Sequence, residues 1–194
     1  NYLGASLTSL IIGDAITSIP IGAFAGTHLT SVELGDSVAT IGNAAFAGTH
    51  LTSVELGDSV ATIGEYAFEN TPLLSLTVGR SLIPANIGVD AFNGTLLGLP
   101  DSSTLIERTV TSNPTSELQD FSAVLPAGAA VSYAVTVSDY ATNTSLDLED
   151  IPNQVNYLGA SLTSLIIGDA ITSIPIGAFA GTHLTSVELG DSVA

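Results

Sequence analysis

The sequence predicts a mostly β solenoid of short stacked coils, interrupted by a small β-sheet segment. Three observations carry this expectation. A 22-residue period runs through the first half of the chain, a 155-residue period ties its start to its end, and the composition suits a repetitive, sparsely charged stack. The short period is plainest in 29–42 and 51–64, which both read LTSVELGDSVATIG. A looser copy, LTSLIIGDAITSI, occupies 7–19, and a fourth copy starting at Leu73 carries two extra residues before Ile87. Self-similarity at such a period marks a solenoid, in which each unit buries its apolar side only against its neighbours.

Within one coil, Leu29, Val32 and Leu34 have the L-x-x-L-x-L spacing of a short strand with its apolar side inward. Gly35-Asp36 turns the chain, since glycine tolerates positive φ and aspartate bonds nearby backbone. The stretch 37–42 supplies a second extended piece with Val38 and Ile41 inward, and 43–48 brings in Phe46. The offset from isoleucine to phenylalanine holds in Ile19 and Phe24, Ile41 and Phe46, Ile63 and Phe68, and Ile87 and Phe92. With coils spaced about 4.8 Å apart, Phe24, Phe46, Phe68 and Phe92 should form an internal column.

The full coil, LTSVELGDSVATIGNAAFAGTH at 29–50, resembles the BspA-like leucine-rich repeat of bacterial and protist surface proteins. About two thirds of the chain shares the pattern. That family commonly places Cys or Asn near the final turn, where this chain has Thr27-His28 and Thr49-His50. The resemblance implies a leucine-rich-repeat solenoid in an extracellular or cell-surface protein that serves adhesion and self-assembly, without catalysis.

The long period is literal: 156–194 repeats 1–39 without a substitution, defining a 155-residue tandem unit. Three segments follow, namely a leucine-rich-repeat solenoid at 1–99, a small β segment or half-sandwich at 100–144, and a restart of the solenoid at 145–194. At the restart Leu146, Leu148 and Ile151 read as a shortened coil, and Tyr2 and Tyr157 stand in for the stacked phenylalanine. The chain starts inside one repeat and stops inside another, so it is expected to belong to a longer tandem polypeptide.

In the intervening segment, 130–139 alternates Val131, Tyr133, Val135 and Val137 with smaller or polar residues, the period of a half-buried strand. A second strand is expected over 104–111, ended by Asn113-Pro114. The phrase LPAGAAVSYAVTVSD at 125–139 is similar to a strand pair in immunoglobulin-like repeats of bacterial surface proteins. The segment is too short for the seven-strand sandwich. It reads as a minimal sheet packed on the solenoid or as a half-domain completed by a neighbouring chain.

Composition removes whole classes of function. The 194 residues hold 19 acidic against 2 basic side chains, a net charge of −17, which excludes a nucleic-acid partner because no basic patch can form. Only 11% of residues are charged while 45% are apolar, and mean hydropathy is +0.50, so a disordered acidic tail is excluded too. Without Lys, Cys, Met or Trp there is no disulfide, thiolate metal site, cysteine nucleophile or phosphate-loop lysine. Uncharged stretches such as 15–32 carry Ser, Thr, Gly or Pro every few residues and do not read as membrane-spanning helices. No Ser, His and acid fall into a recognisable triad, so the reading is not an enzyme.

Stacking would turn each repeated polar residue into a ladder. Asp14, Asp36 and Asp58 share one turn position, and Glu33 and Glu55 share one strand position, bringing like charges about 5 Å apart. One reading is weak calcium binding through these turns and through the acidic cluster Asp147, Glu149 and Asp150, calcium being the one cofactor suggested. The other is solvated carboxylates screened by salt. Arg80 replaces the aspartate in the fourth coil and should pair with Asp58. His28 and His50 should stack as exposed turn residues, with Pro72 at the next equivalent place. Asn93 and Asn143 open glycosylation sequons by pattern. Two functions are weighed: a structural unit of a long extracellular or cell-surface fibre that self-associates with neighbouring units or chains, and an adhesin whose Ser31, Glu33, Ser53 and Glu55 face binds a host or matrix protein or a glycan. Uniform repeats favour the fibre, because recognition diversifies exposed positions from coil to coil.

Overall fold

The computed structural model describes residues 6–110, 121, 123–137, 162–167, 174 and 183–193. Among these there is no α-helix; strands, turns and one 3-10 turn, Pro84–Asn86, make up the fold. The chain divides into two compact units, 1–105 with 121–131, and 106–120 with 132–194.

In the first unit the 22-residue period becomes a stack of coils. Each coil opens with a strand of the L-x-x-L-x-L motif: β1 (Ser9–Ile11), β3 (Ser31–Glu33), β5 (Ser53–Leu56) and β7 (Ser75–Val78). Registers are parallel and offset by one repeat, Ser9 opposite Ser31 and Ser53 opposite Ser75. A second face carries the two-residue strands β2 (Ser18–Ile19), β4 (Thr40–Ile41) and β6 (Thr62–Ile63), also parallel. The fourth coil keeps this register despite its two extra residues, since Ile63 bridges to Ile87. The 3-10 turn absorbs the insertion, and the Asn86 side-chain amide donates to the Ala61 carbonyl at 3.0 Å.

Alternation sorts the side chains as the pattern requires. On β5, Val54 and Leu56 are buried while Ser53 and Glu55 are exposed. Leu29, Leu51 and Leu73, the first motif leucines, are fully buried, as are Val38, Val60 and Leu82 of the second piece. Coils approach closely where the glycines sit: a Cβ on Gly42 would lie 2.7 Å from the amide nitrogen of Ile21 in the coil below.

The third face is built differently. Two residues per coil take positive φ, one on each side of the phenylalanine: Gly22 and Gly26, Ala44 and Gly48, Tyr66 and Asn70, Asp90 and Gly94. This alternation aligns every second amide along the stack. Gly22, Phe24 and Gly26 donate to Asn43, Ala45 and Ala47; Ala44, Phe46 and Gly48 donate to Glu65, Ala67 and Glu69; Tyr66, Phe68 and Asn70 donate to Val89, Ala91 and Asn93, all at 2.8–3.1 Å. The phenylalanines behind this face stack with ring centroids 5.4, 5.4 and 5.6 Å apart and planes within 18°. Phe46, Phe68 and Phe92 are buried and Phe24 half-buried.

After the fourth coil, Ser103 enters the same ladder. It opens β8 (Ser103–Val110), its amide donates to Leu74 O at 2.9 Å, and its hydroxyl meets that of Ser75 at 3.2 Å. The Thr104 amide bonds to Ala130 O at 2.9 Å, and 121–130 packs in this unit with Phe121 and Leu125 buried.

In the second unit β9 (Val131–Val137), β10 (Leu162–Ile167) and β11 (Ser186–Leu189) pair in parallel. Ser164 lies opposite Ser186, the repeat register again, and β9 joins β10 with one irregularity between Leu162 and Ser164. The likeness of 125–139 to an immunoglobulin-like strand pair does not extend to this pairing. Sandwich sheets of that kind are antiparallel, whereas β9 lies parallel to a leucine-rich-repeat strand, because a coil that goes on turning the same way can add only parallel neighbours. Tyr2, Tyr157, the restart at 145–155 and the sequon at Asn143 lie outside the described residues.

Candidate functional site

The exposed ladders are the chain's chemically distinctive surface. Each is generated by one residue of the repeat, placed by the strand or turn beneath it. At the aspartate turn the side chains serve the stack itself. Asp14 Oδ1 accepts the Asp36 amide at 3.0 Å, and Asp58 Oδ1 accepts the Arg80 amide at 3.1 Å. A carboxylate taking a backbone N–H from the next coil supplies the partner that an isolated turn would have to find in water.

Arg80 closes this ladder as expected, with Nη1 3.4 Å from Asp58 Oδ2. Both side chains are about half exposed, at 48% and 54%, so the pair contributes on the order of 0–1 kcal/mol. His28 and His50 stack with centroids 5.1 Å apart and planes within 6°. Among the described residues no three His, Asp or Glu side chains gather where they could hold a metal ion. Asp14, Asp36 and Asp58 form a row along the stack, while Asp147, Glu149 and Asp150 lie outside the described residues.

Two polar elements escaped the reading of the sequence. Thr27, Thr49, Thr71 and Thr95 each turn the hydroxyl back to donate to the phenylalanine carbonyl three residues before, at 2.7–2.9 Å. The signal was present, since a threonine follows every phenylalanine of the repeat at that spacing. Asn43 Oδ1 accepts the Glu65 amide at 3.2 Å, a second side chain bracing the next coil. The serine row stands on the strand face, with Ser186 Oγ 2.9 Å from Ser164 Oγ in the second unit. Ser31, Glu33, Ser53 and Glu55 are all exposed there, a periodic array of hydroxyls and carboxylates.

No helix among the described residues is long and apolar enough to cross a membrane. No curated protein and no solved structure matches the chain. The model of the BspA type leucine-rich repeat region matches in six copies over residues 2–113 and 140–194. That coverage takes in most of the sequence, including the strand that continues the serine ladder past the fourth coil, and the chain belongs to the BspA type leucine-rich repeat family.

Proposed function

We propose that the chain is a non-enzymatic structural repeat of an extracellular or cell-surface protein whose 155-residue units join into a fibre through stacked coils. The observation that carries this reading is the behaviour of the segment between repeat blocks. Its strand β9 pairs in parallel with the leucine-rich-repeat strand β10, as neighbouring coils of the stack do. A segment built to separate independent modules would be Gly/Ser- or Pro-rich; this one is used as ladder. The letter-for-letter recurrence of 1–39 at 156–194 supports the same reading, because identical units present identical joints. Electron microscopy of a protein carrying two or more 155-residue units tests it. Filaments with a fixed axial repeat are expected, and units joined at freely varying angles would refute the fibre.

The exposed row of Ser31, Glu33, Ser53 and Glu55 favours one other reading, an adhesin that takes an extended host or matrix protein or glycan along the ladder. Substituting Glu33 and Glu55 with Gln would abolish such binding and leave filaments intact.

A further inference from the structure

The phenylalanine face of the fourth coil ends in a row of donors that find no backbone acceptor among the described residues. The carbonyls of Val89, Ala91 and Asn93 point back to the third coil, where they accept from Tyr66, Phe68 and Asn70. In a trans peptide the N–H points opposite to the carbonyl of the same unit. The amides of Asp90, Phe92 and Gly94 therefore point away from the third coil, and among the described residues they donate to no backbone carbonyl. They face a cavity of about 430 Å³, walled by Phe92, Asn93 and Gly94 on one side and Val124, Leu125 and Pro126 on the other, all within the first unit. This volume lies within the range of ligand pockets.

We propose that this pocket is a docking site for a phenylalanine-turn segment of a second copy of the chain. It rests on the self-associating reading above in taking the second copy as occupant. Three features select this chemistry. The donors lie two residues apart and parallel, so a single small anion cannot bridge them; a row of carbonyls at alternate residues can. That match is already made nine times within the stack, at 2.8–3.1 Å, each time by the stretch around a phenylalanine. The walls are apolar apart from Asn93 and Asp90, and the Asp90 carboxylate beside the donors disfavours an anionic occupant and admits neutral carbonyls. The docked segment would continue the interface that joins the coils of one chain, as β-augmentation continues a sheet.

The test uses the full chain and a synthetic peptide of residues 41–49. Amide exchange of Asp90, Phe92 and Gly94 should be on the order of 100-fold faster than that of Ala44, Phe46 and Gly48 in the free chain, and should slow on adding the peptide. The same peptide carrying Phe46→Ala should slow it little, and Ala123→Trp in the chain, at an exposed rim position, should block the effect. Equal protection in the free chain, or no slowing by peptide, overturns the proposal, as does equal slowing by both peptides. Filaments of the Ala123→Trp chain indistinguishable from the parent's would overturn this docking site and leave the fibre standing. Absence of filaments from the parent, with the peptide still protecting the three amides, would remove the fibre and leave the site.

Discussion

Phe46→Ala reports most directly on what holds the coils together. Phe46 is fully buried, with Phe24 and Phe68 each 5.4 Å away on its two sides. Truncating a buried phenylalanine costs about 3–5 kcal/mol through lost transfer energy and the cavity left behind. Here the upper part of that range is expected, because two ring stacks vanish together and each is worth about 0.5–1.5 kcal/mol beyond area. Glycine pins the coils at contacts such as Gly42 against Ile21, so the neighbours cannot close the gap. Phe24→Ala is the control. Phe24 is half-buried and among the described residues stacks on one ring, so its loss should cost about half as much. Urea unfolding followed by far-UV circular dichroism, with calorimetric Tm, measures both. Equal costs for the two variants, or a Phe46→Ala chain that melts with its parent, would refute a column that gains from neighbours on both sides.

Other perturbations test the turns. Ala44 and Gly48 both have positive φ, at 52° and 65°, so Ala44→Gly should stabilise and Gly48→Ala destabilise, each by about 1 kcal/mol; shifts of the same sign in Tm would contradict the backbone assignment. Thr49→Val keeps the shape of a buried side chain while deleting its bond to Phe46 O, and a loss of about 1 kcal/mol is expected in chemical denaturation, with less for the half-buried Thr27. One oxygen of Asp14 and of Asp58 is already committed to the next coil's amide. Calcium below about 0.1 mM, which fills only tight and sensor-type sites, should therefore leave Tm unchanged; a rise there would show that these turns hold the ion tightly.

Much of the fold was legible because a repeat writes the same instruction several times. The inward positions of Leu29, Val38, Ile41 and Phe46, the stacked histidines and the Arg80 to Asp58 pair all follow from one coil and a parallel offset. What could not be read depended on the backbone. Ala44 and Tyr66 sit at positive φ where the residue type gives no sign of it, held there by the amides they align with the next coil, and Asp90 repeats the same turn in the fourth coil. The parallel placement of β9 was hidden for another reason. Val131 to Val137 alternates as any half-buried strand does, and alternation does not encode the direction of the neighbour. The aspartate row was visible as a ladder, but its use as an acceptor for the next coil's amide depends on turn geometry that composition does not carry.

The phenylalanine face has an electrostatic sense. Every second amide on it donates toward the higher-numbered coil, so the dipoles of those peptides add up along the stack, in the way a helix sums its own. The end toward Asp90 is therefore the positive pole and the end toward Gly22 the negative one. The carboxylates on this face fall at the positive pole: Glu65 and Glu69 in the third coil and Asp90 in the fourth, with Ile21, Ala25, Asn43 and Ala47 at or beside the corresponding places in the first two. An arrangement of this kind gives the stack a direction. Two stacks meeting pole to opposite pole attract and continue the same row, while like poles oppose donor to donor or acceptor to acceptor.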